Sequence, residues 1–457
     1  MIRYIILGFC CLLSMFVKAQ NLKIAENKRF FTTQKGKPFF WQGDTGWLLF
    51  IKLTREEAIQ YLDDRAAKGF NVIQAILIHD LNLGTNMYGD SAVQNKDVSK
   101  PIITKKSNFK NKAAYDYWDH VDYIISAAAK RNIFIALVPM WGSNVKYVSV
   151  YQGKAYASFL ANRFKKHNNI VWMNGGDTKG GDALELWNTI GNTLNELDTK
   201  HLITFHPRGR TSSSDWFHNE SWLDFNIYQS GHRAYYQDTI ASEKRHYGED
   251  TWKYMNDDYS LLPTKPSFDA EPSYENIPYG LHKKDQPYWQ DFEIRRYAYW
   301  SVFAGGCGFT YGQNAVMQFH NIGDKDSSFF PYQNWQEGIK AIGSTQMQYL
   351  KNLVLNYDYL SSMPAQEYVL NNGEKYNRIA VLKSNTATFF YTYNGSVINI
   401  NKALIKGVHY NAKWYNPKNG MYTTILTHSE ISNSFDPPGD VQNGNDWVLI
   451  IEKLNCK

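Results

Sequence analysis

Two short apolar runs in this 457-residue chain end on an acid. In "HNNIVWMNGGDTKGGD" (167–182) the run from Ile170 to Met173 reads as a buried strand that ends in Asn174, two glycines and Asp177. In "KPSFDAEP" (265–272) a second run delivers Glu271. A lone carboxylate at a strand end reads equally well as a turn residue. Two of them facing one another can do more. A poorly solvated one keeps a proton to give away, while an ionised one attacks carbon or activates water. Cleavage of a glycosidic bond needs such a pair on opposite sides of one bond.

Acids so distant in sequence can meet only through the fold. Strand-like runs alternate with helical periods from 37 to 356. The strands are read at 37–47, 71–78, 133–141, from 170, and at 201–207, 222–232, 265–272 and 307–314. Helical stretches separate them; the first, 54–70, opens with Thr54 and Glu57 spaced as a capping box. About eight β–α units predict an α/β chain folded as a (β/α)8 TIM barrel over residues 20–360. From 361 to 457 the text alternates apolar and polar residues with many β-branched and aromatic types, which predicts a small antiparallel β-sandwich domain. A lysine- and asparagine-rich excursion (82–112) and the region 233–262 are expected to shape a pocket.

Chemistry in such barrels sits at the C-terminal strand ends, and strands four and seven lie across the mouth from one another. Asp177 and Glu271 are therefore the candidate catalytic pair. The other strand ends supply candidate substrate-binding residues: Asp44, Trp141, Asn174, His206, Gln229, His232, Tyr311 and Asn314. The glycines at 175, 176, 180 and 181 are expected to permit tight turns and leave room for a sugar. Asp269 reads as a structural hydrogen-bonding group and Asp182 as a helix cap.

Other chemistries fit less well. His79, His206 and His232 have no HExxH-like spacing, so no metal site is expected, and the two-carboxylate chemistry requires no cofactor. There is no GxSxG elbow, and "GGDTKGG" lacks the Ser or Thr of a phosphate loop. The opening "MIRYIILGFCCLLSMFVKAQ" reads as a signal peptide cleaved after Ala19, which predicts a secreted or periplasmic protein with no integral membrane segment afterwards. Its loss removes Arg3 and Lys18, leaving 47 basic residues of 49 against 43 acidic, a mild net +4 that does not argue for nucleic acid. Cys10 and Cys11 leave with it, and Cys307 and Cys456 form no disulfide framework. The 16% aromatic content, with 14 Trp and 32 Tyr, supplies flat faces suited to the C–H surfaces of sugar rings.

Long motifs then carry a resemblance. "FFWQGDTGWLLF", "YWDHVDYIISAAAKRNIFIALVPMWG", "HNNIVWMNGGD", "FHPRGRTSSSDWFHNESWLDFNIYQSGH", "KPSFDAEPSYE" and "RRYAYWSVFAGGCGFTYGQNAVMQF" resemble the apiosidase-like barrel domain of glycoside hydrolase family 140. "WYNPKNG" and "GNDWVLIIE" resemble the small β-domain that often follows it, described as collagen-binding. The resemblance implies a secreted bacterial enzyme that releases apiose, a branched pentose, from side chains of the pectin rhamnogalacturonan II. Its partner would be a plant cell-wall polysaccharide or oligosaccharide. The family's "GGD" aspartate falls on Asp177 and its "D-x-E-P" glutamate on Glu271, the same two residues that the strand ends select. Related retaining barrel hydrolases carry Asn-Glu after strand four; here the acid is Asp177, one methylene shorter. Retention needs carboxylates about 5–5.5 Å apart and inversion about 6.5–9.5 Å. Retention is the expectation, with Asp177 as acid/base and Glu271 as nucleophile. Two alternatives stand beside it: another pentose-releasing glycosidase on the same barrel, and a non-catalytic carbohydrate- or matrix-binding protein.

Overall fold

The computed structural model describes residues 21–82, 84–405 and 410–453; the leader read at 1–19 and Cys456 lie outside the described residues. Eight strands form one sheet: β1 (Trp41–Thr45), β2 (Val72–Ile76), β3 (Phe134–Val138), β4 (Ile170–Thr178), β5 (Ile203–Pro207), β6 (Asn226–Tyr228), β7 (Ser267–Asp269) and β8 (Gly308–Tyr311). They pair in parallel in the order β5-β4-β3-β2-β1-β8-β7-β6. The two ends of that order meet through a few specific bonds. The Asp224 amide donates to the Ile203 carbonyl at 2.9 Å. The Ile203 amide donates to the Asp224 carboxylate at 2.7 Å, and the Thr204 hydroxyl to the Phe225 carbonyl at 2.7 Å. These close the sheet into a barrel.

Alternate residues of each strand join different cores, as a period of two requires. Val72, Ile76, Phe134, Ala136, Val138, Val171 and Met173 pack in the barrel interior. Ile73, Ala75, Ile135, Leu137, Ile170 and Trp172 pack in the shell beneath the helices. An antiparallel three-stranded sheet over residues 22–39 brings Phe31 to the barrel, edge-on to Phe225 at 5.0 Å.

The outer helices are α1 (Arg55–Ala67), α2 (Tyr117–Ala129), α3 (Val150–Phe164), α4 (Leu184–Leu197), α5 (Thr251–Tyr259), α6 (Asp291–Phe303) and α7 (Ile342–Leu355). The Thr54–Glu57 capping box is formed, and Gly69 takes φ +77 just beyond α1. Between β5 and β6 the helical layer is reduced to Ser214–Phe217. The helix expected near 333–356 is divided into a short Trp335–Gly338 turn and α7. No helix among the described residues is long and apolar enough to cross a membrane.

Beyond α7, β9 (Met363–Pro364), β10 (Ile379–Lys383), β11 (Ala387–Thr392), β12 (Tyr410–Tyr415), β13 (Tyr422–Ser429) and β14 (Trp447–Lys453) form an antiparallel sheet in the order β9-β10-β11-β14-β12-β13. One face, with Leu382, Phe389, Tyr391, Val448 and Ile450, joins the core that contains α6. The other, with Val381, Phe390, Leu449 and Ile451, packs on Ile398 and Phe435 from a two-stranded ladder. The second layer of the sandwich is therefore thin, and the barrel covers the broad face. Tyr391 stacks on Tyr299 of α6 at 4.6 Å and 12°. Arg295 of α6 forks onto Asp446 with bonds of 2.9 and 2.8 Å.

Candidate active site

Strand β4 aims Asp177 by breaking its own ladder. Gly175 still pairs with His206, but the next pair is Thr178 with Pro207, so Gly176 and Asp177 bulge out of register. Gly175 and Gly176 take φ +86 and +124, where a side chain is strained. Asp177 itself adopts φ +46, an uncommon conformation for a residue with a Cβ and one that recurs at functional sites. Strand β7 ends at Asp269. That side chain is buried and accepts hydrogen bonds from Ser230 and Thr251, as a structural acid should. The chain turns after it, and Glu271 reaches the same cavity as Asp177.

The cavity holds about 610 Å³. Asp177, Glu271, Trp47, Trp141, His79, Gln229, His232 and Tyr274 are among the residues that line it. Trp47 and Trp141 sit 5.3 Å apart at a 58° tilt, and both rings contact His206.

Two histidines hold Glu271. The Nε2 of His232 lies 3.1 Å from Oε1, and the Nε2 of His206 lies 3.2 Å from Oε2. The Asp177 amide lies 3.4 Å from His206 Nδ1, so Nε2 is the ring nitrogen that faces Glu271. Burial works to raise the Glu271 pKa, but the bonds and charge of His206 and His232 outweigh it and hold the carboxyl at about 2. The Asp177 side chain is exposed toward the cavity, but protein packed around that cavity still strips much of its hydration. That enclosure first, and the Glu271 charge second, push its pKa up to about 7 against the pull of His206 and a hydrogen bond from Gln229. One cavity thus contains a carboxyl that keeps its proton near neutrality and another that does not.

Four of the sequence-selected residues face elsewhere. Asp44 is fully buried against α1, where it accepts from Arg65 and Tyr61 at 2.6 Å each. Asn174 shares the parity of Trp172 and points to the shell, donating to the Trp187 carbonyl at 2.8 Å. The Tyr311 hydroxyl donates to the buried Glu275 at 2.5 Å. Asn314 donates to the carbonyls of Asn276 and Phe329, so it pins a cavity loop without lining the cavity. None of these four residues lines the cavity. His206 is buried and acts on Glu271 from behind.

Other expectations also change. Asp182 lines the cavity and does not cap α4, whose N-cap is Ala183 with no side-chain bond. A Cβ on Gly180 or Gly181 would meet Phe217 or Trp216, so these glycines make room for aromatic packing rather than for a sugar. The described residues of the 82–112 excursion contribute nothing to the cavity wall; segments 231–233, 280–282 and 326–329 do. Sequence reasoning missed Trp47 and Tyr274. Tyr274 stands three residues after Glu271 in "EPSY", and its ring contacts His232 at 4.7 Å. Gly312 admits that ring, since a Cβ there would lie 2.1 Å from it. Among the described residues no group of three or more His, Cys, Asp or Glu is arranged to hold a metal ion.

Residues 25–361 match the family model described as "Apiosidase-like, catalytic domain". The chain belongs to the apiosidase-like family. Residues 363–452 of this apiosidase-like protein match the model described as "Putative collagen-binding domain of a collagenase". A solved structure titled glycoside hydrolase is 38% identical, with a TM-score of 0.88, covering 95% of this chain and 97% of its own. Another, titled a glycoside hydrolase family 5 from Bacteroides vulgatus ATCC 8482, is also 38% identical with a TM-score of 0.88, covering 95% of this chain and 94% of its own. No curated protein matches the chain significantly. Apiosidase-like membership together with these two neighbours makes the protein a glycoside hydrolase.

Proposed function

We propose that this protein is a secreted or periplasmic apiosidase, releasing apiose from side chains of rhamnogalacturonan II by a retaining double displacement. Asp177 is the acid/base and Glu271 the nucleophile. The observation that carries the reading is the placement of two carboxyls on one cavity in opposite surroundings, Glu271 against two imidazoles and Asp177 without such a partner, which lowers the pKa of the first and raises that of the second. In the first step Asp177 gives its proton to the glycosidic oxygen while Glu271 attacks the anomeric carbon. The alcohol departs, and the sugar is held as an ester of Glu271. In the second step the Asp177 carboxylate takes a proton from water as that water attacks the same carbon and releases Glu271. A carboxylate held at about 2 is a weak base toward water but a good leaving group, which favours the covalent route over inversion.

Apiose as the sugar rests on family membership. An acidic pectic substrate is supported by the rim near Asp177, where Lys179 and Arg208 line the cavity. The leaving group docks on the side of its proton donor, and these cations suit its uronate carboxylates. Trp47 and Trp141 offer ring faces to the sugar.

The test is incubation of the purified protein with rhamnogalacturonan II oligosaccharides, with Glu271→Gln alongside and free sugars separated by chromatography. Apiose from the wild type alone is the expected result. A different pentose from a wider pectin panel would retain the mechanism and replace the sugar. No product from any glycan would contradict the proposal.

A further inference from the structure

The loop after β6 carries His232 and Arg233 to the cavity and returns through Glu249 to α5. Arg210, buried, donates to the carbonyls of Gly248 at 2.7 Å, Ser230 at 3.1 Å and Arg233 at 3.4 Å. The Gly280 amide and Trp289 indole donate to the His232 carbonyl at 2.8 and 3.3 Å.

Bonds within the barrel, such as the Tyr235 hydroxyl to Asp250 at 2.5 Å and the Gly231 amide to the Glu271 carbonyl at 3.1 Å, add to this, and further support comes from the C-terminal domain. Glu249 is buried and paired with Arg296 of α6. Its Oε1 accepts from the Tyr235 amide at 3.1 Å and from the hydroxyl of Tyr376, just before β10, at 2.9 Å. The Tyr376 ring lies 5.5 Å from that of Tyr235, and Lys375, with φ +49, places its ammonium 5.1 Å over the same ring. Arg378 lies 3.6 Å over Trp252 at the start of α5. Arg296 sits 4.8 Å from the rings of both Tyr376 and Tyr393, while its Nε and Nη1 have no hydrogen-bond partner. Aromatic faces from the C-terminal domain therefore join Tyr297 and Trp300 of α6 around this buried charge.

We propose that residues 375–378 of the C-terminal domain position the His232 loop, and through it Glu271, with Tyr376 as the principal positioning residue. The role in turnover rests on the proposed function of Glu271; the mechanical coupling does not. A buried ion pair is sensitive to the loss of one of its hydrogen bonds. Without the Tyr376 hydroxyl, Glu249 keeps Arg296 and the Tyr235 amide but loses its link to the C-terminal domain, so the Tyr235 end of the loop is held less tightly. Tyr235 is three residues from His232. In this assignment the second domain completes the active site of the first.

The experiment compares Tyr376→Phe with Tyr415→Phe in protein labelled with 15N-histidine. Tyr415 donates to the Tyr349 carbonyl at 2.8 Å across the same domain interface but makes no contact with the loop. The reporter is the imidazole N–H that faces Glu271, assigned by its loss in His232→Gln. In Tyr376→Phe the signal is expected to shift or broaden and to exchange with water about tenfold faster or more, while Tyr415→Phe leaves it as in the wild type. On apiose-releasing substrate, Tyr376→Phe should lower kcat by roughly ten- to a hundredfold with KM nearly unchanged. The acid limb of kcat/KM should move up as Glu271 loses a donor. Arg378→Gln loosens the same corner and is read in the same way should Tyr376→Phe not fold. An unchanged His232 signal in the corner variant, or an equal change in Tyr415→Phe, would overturn the proposal. The signal needs no substrate, so a failure of the apiosidase reading and a failure of this coupling are separately visible.

Discussion

Asp177 and Glu271 meet one chemical demand through opposite surroundings. Enclosure and a like charge hold the proton on Asp177; two imidazole N–H groups keep it off Glu271. The reactive form has Asp177 protonated and Glu271 ionised. Activity should therefore rise as pH climbs through the lower apparent pKa, about 2, and fall as pH passes the upper one, about 7, both belonging to the coupled pair. A pH profile of kcat/KM checks this, and a basic limb far above 7 would contradict it. At this scale the sequence was legible where a residue type is rare in its setting, as with an acid at the end of an apolar run. It was not legible where strand position alone chose the residue. Asp44 and Asn174 lie at strand ends but on the shell side, against α1 and α4, and counting alternate residues from Trp172 would have excluded Asn174. Tyr274 is displayed by a turn after β7, and nothing in its local pattern marks it.

The element that does most for the site is the bulge in β4. Gly176 combines φ +124 with a position where a Cβ would lie 2.8 Å from the Trp141 ring. Gly176→Ala should destabilise the fold by about 1–3 kcal/mol, measured as a lower urea midpoint, and should raise KM as Trp141 is displaced. The apolar periods of all eight barrel strands, and the capping box of α1, could be read directly because each depends on local pattern. The bulge could not. It depends on pairing with β5, which no local pattern records. The thin second layer of the C-terminal sandwich is likewise a matter of tertiary contact: Leu382 and Val381 alternate in sequence, but only the packed molecule assigns one to the barrel and the other to the two-stranded ladder.

At the scale of the whole molecule, the two domains share a core and a buried ion pair. Asp446→Ala strips the Nε and Nη2 partners from buried Arg295, which keeps Asp291 and Gln346 at Nη1, and should cost about 1–3 kcal/mol. Barrel and sheet should melt in one transition in calorimetry, and two separate transitions would contradict a shared core. Stability should also fall from mildly acidic toward alkaline pH. Asp269 and Glu275 are buried, and burial pushes both up to about 7. Between their ordinary values near 4 and about 7 the folded state binds protons that the unfolded chain releases, so stability is full below that window and lost as pH rises through it. Thermal midpoints measured from pH 5 to 8 should decline.

The central claim is that Glu271 carries the sugar and Asp177 serves it on both steps. The most direct measurement is intact-protein mass spectrometry of Asp177→Asn mixed with an aryl apioside. The aryl leaving group departs without an acid, while release of the ester needs the missing base. The account predicts an accumulating covalent pentosyl adduct, located by peptide mapping on Glu271. Free apiose formed without any adduct, or an adduct on another residue, would contradict it.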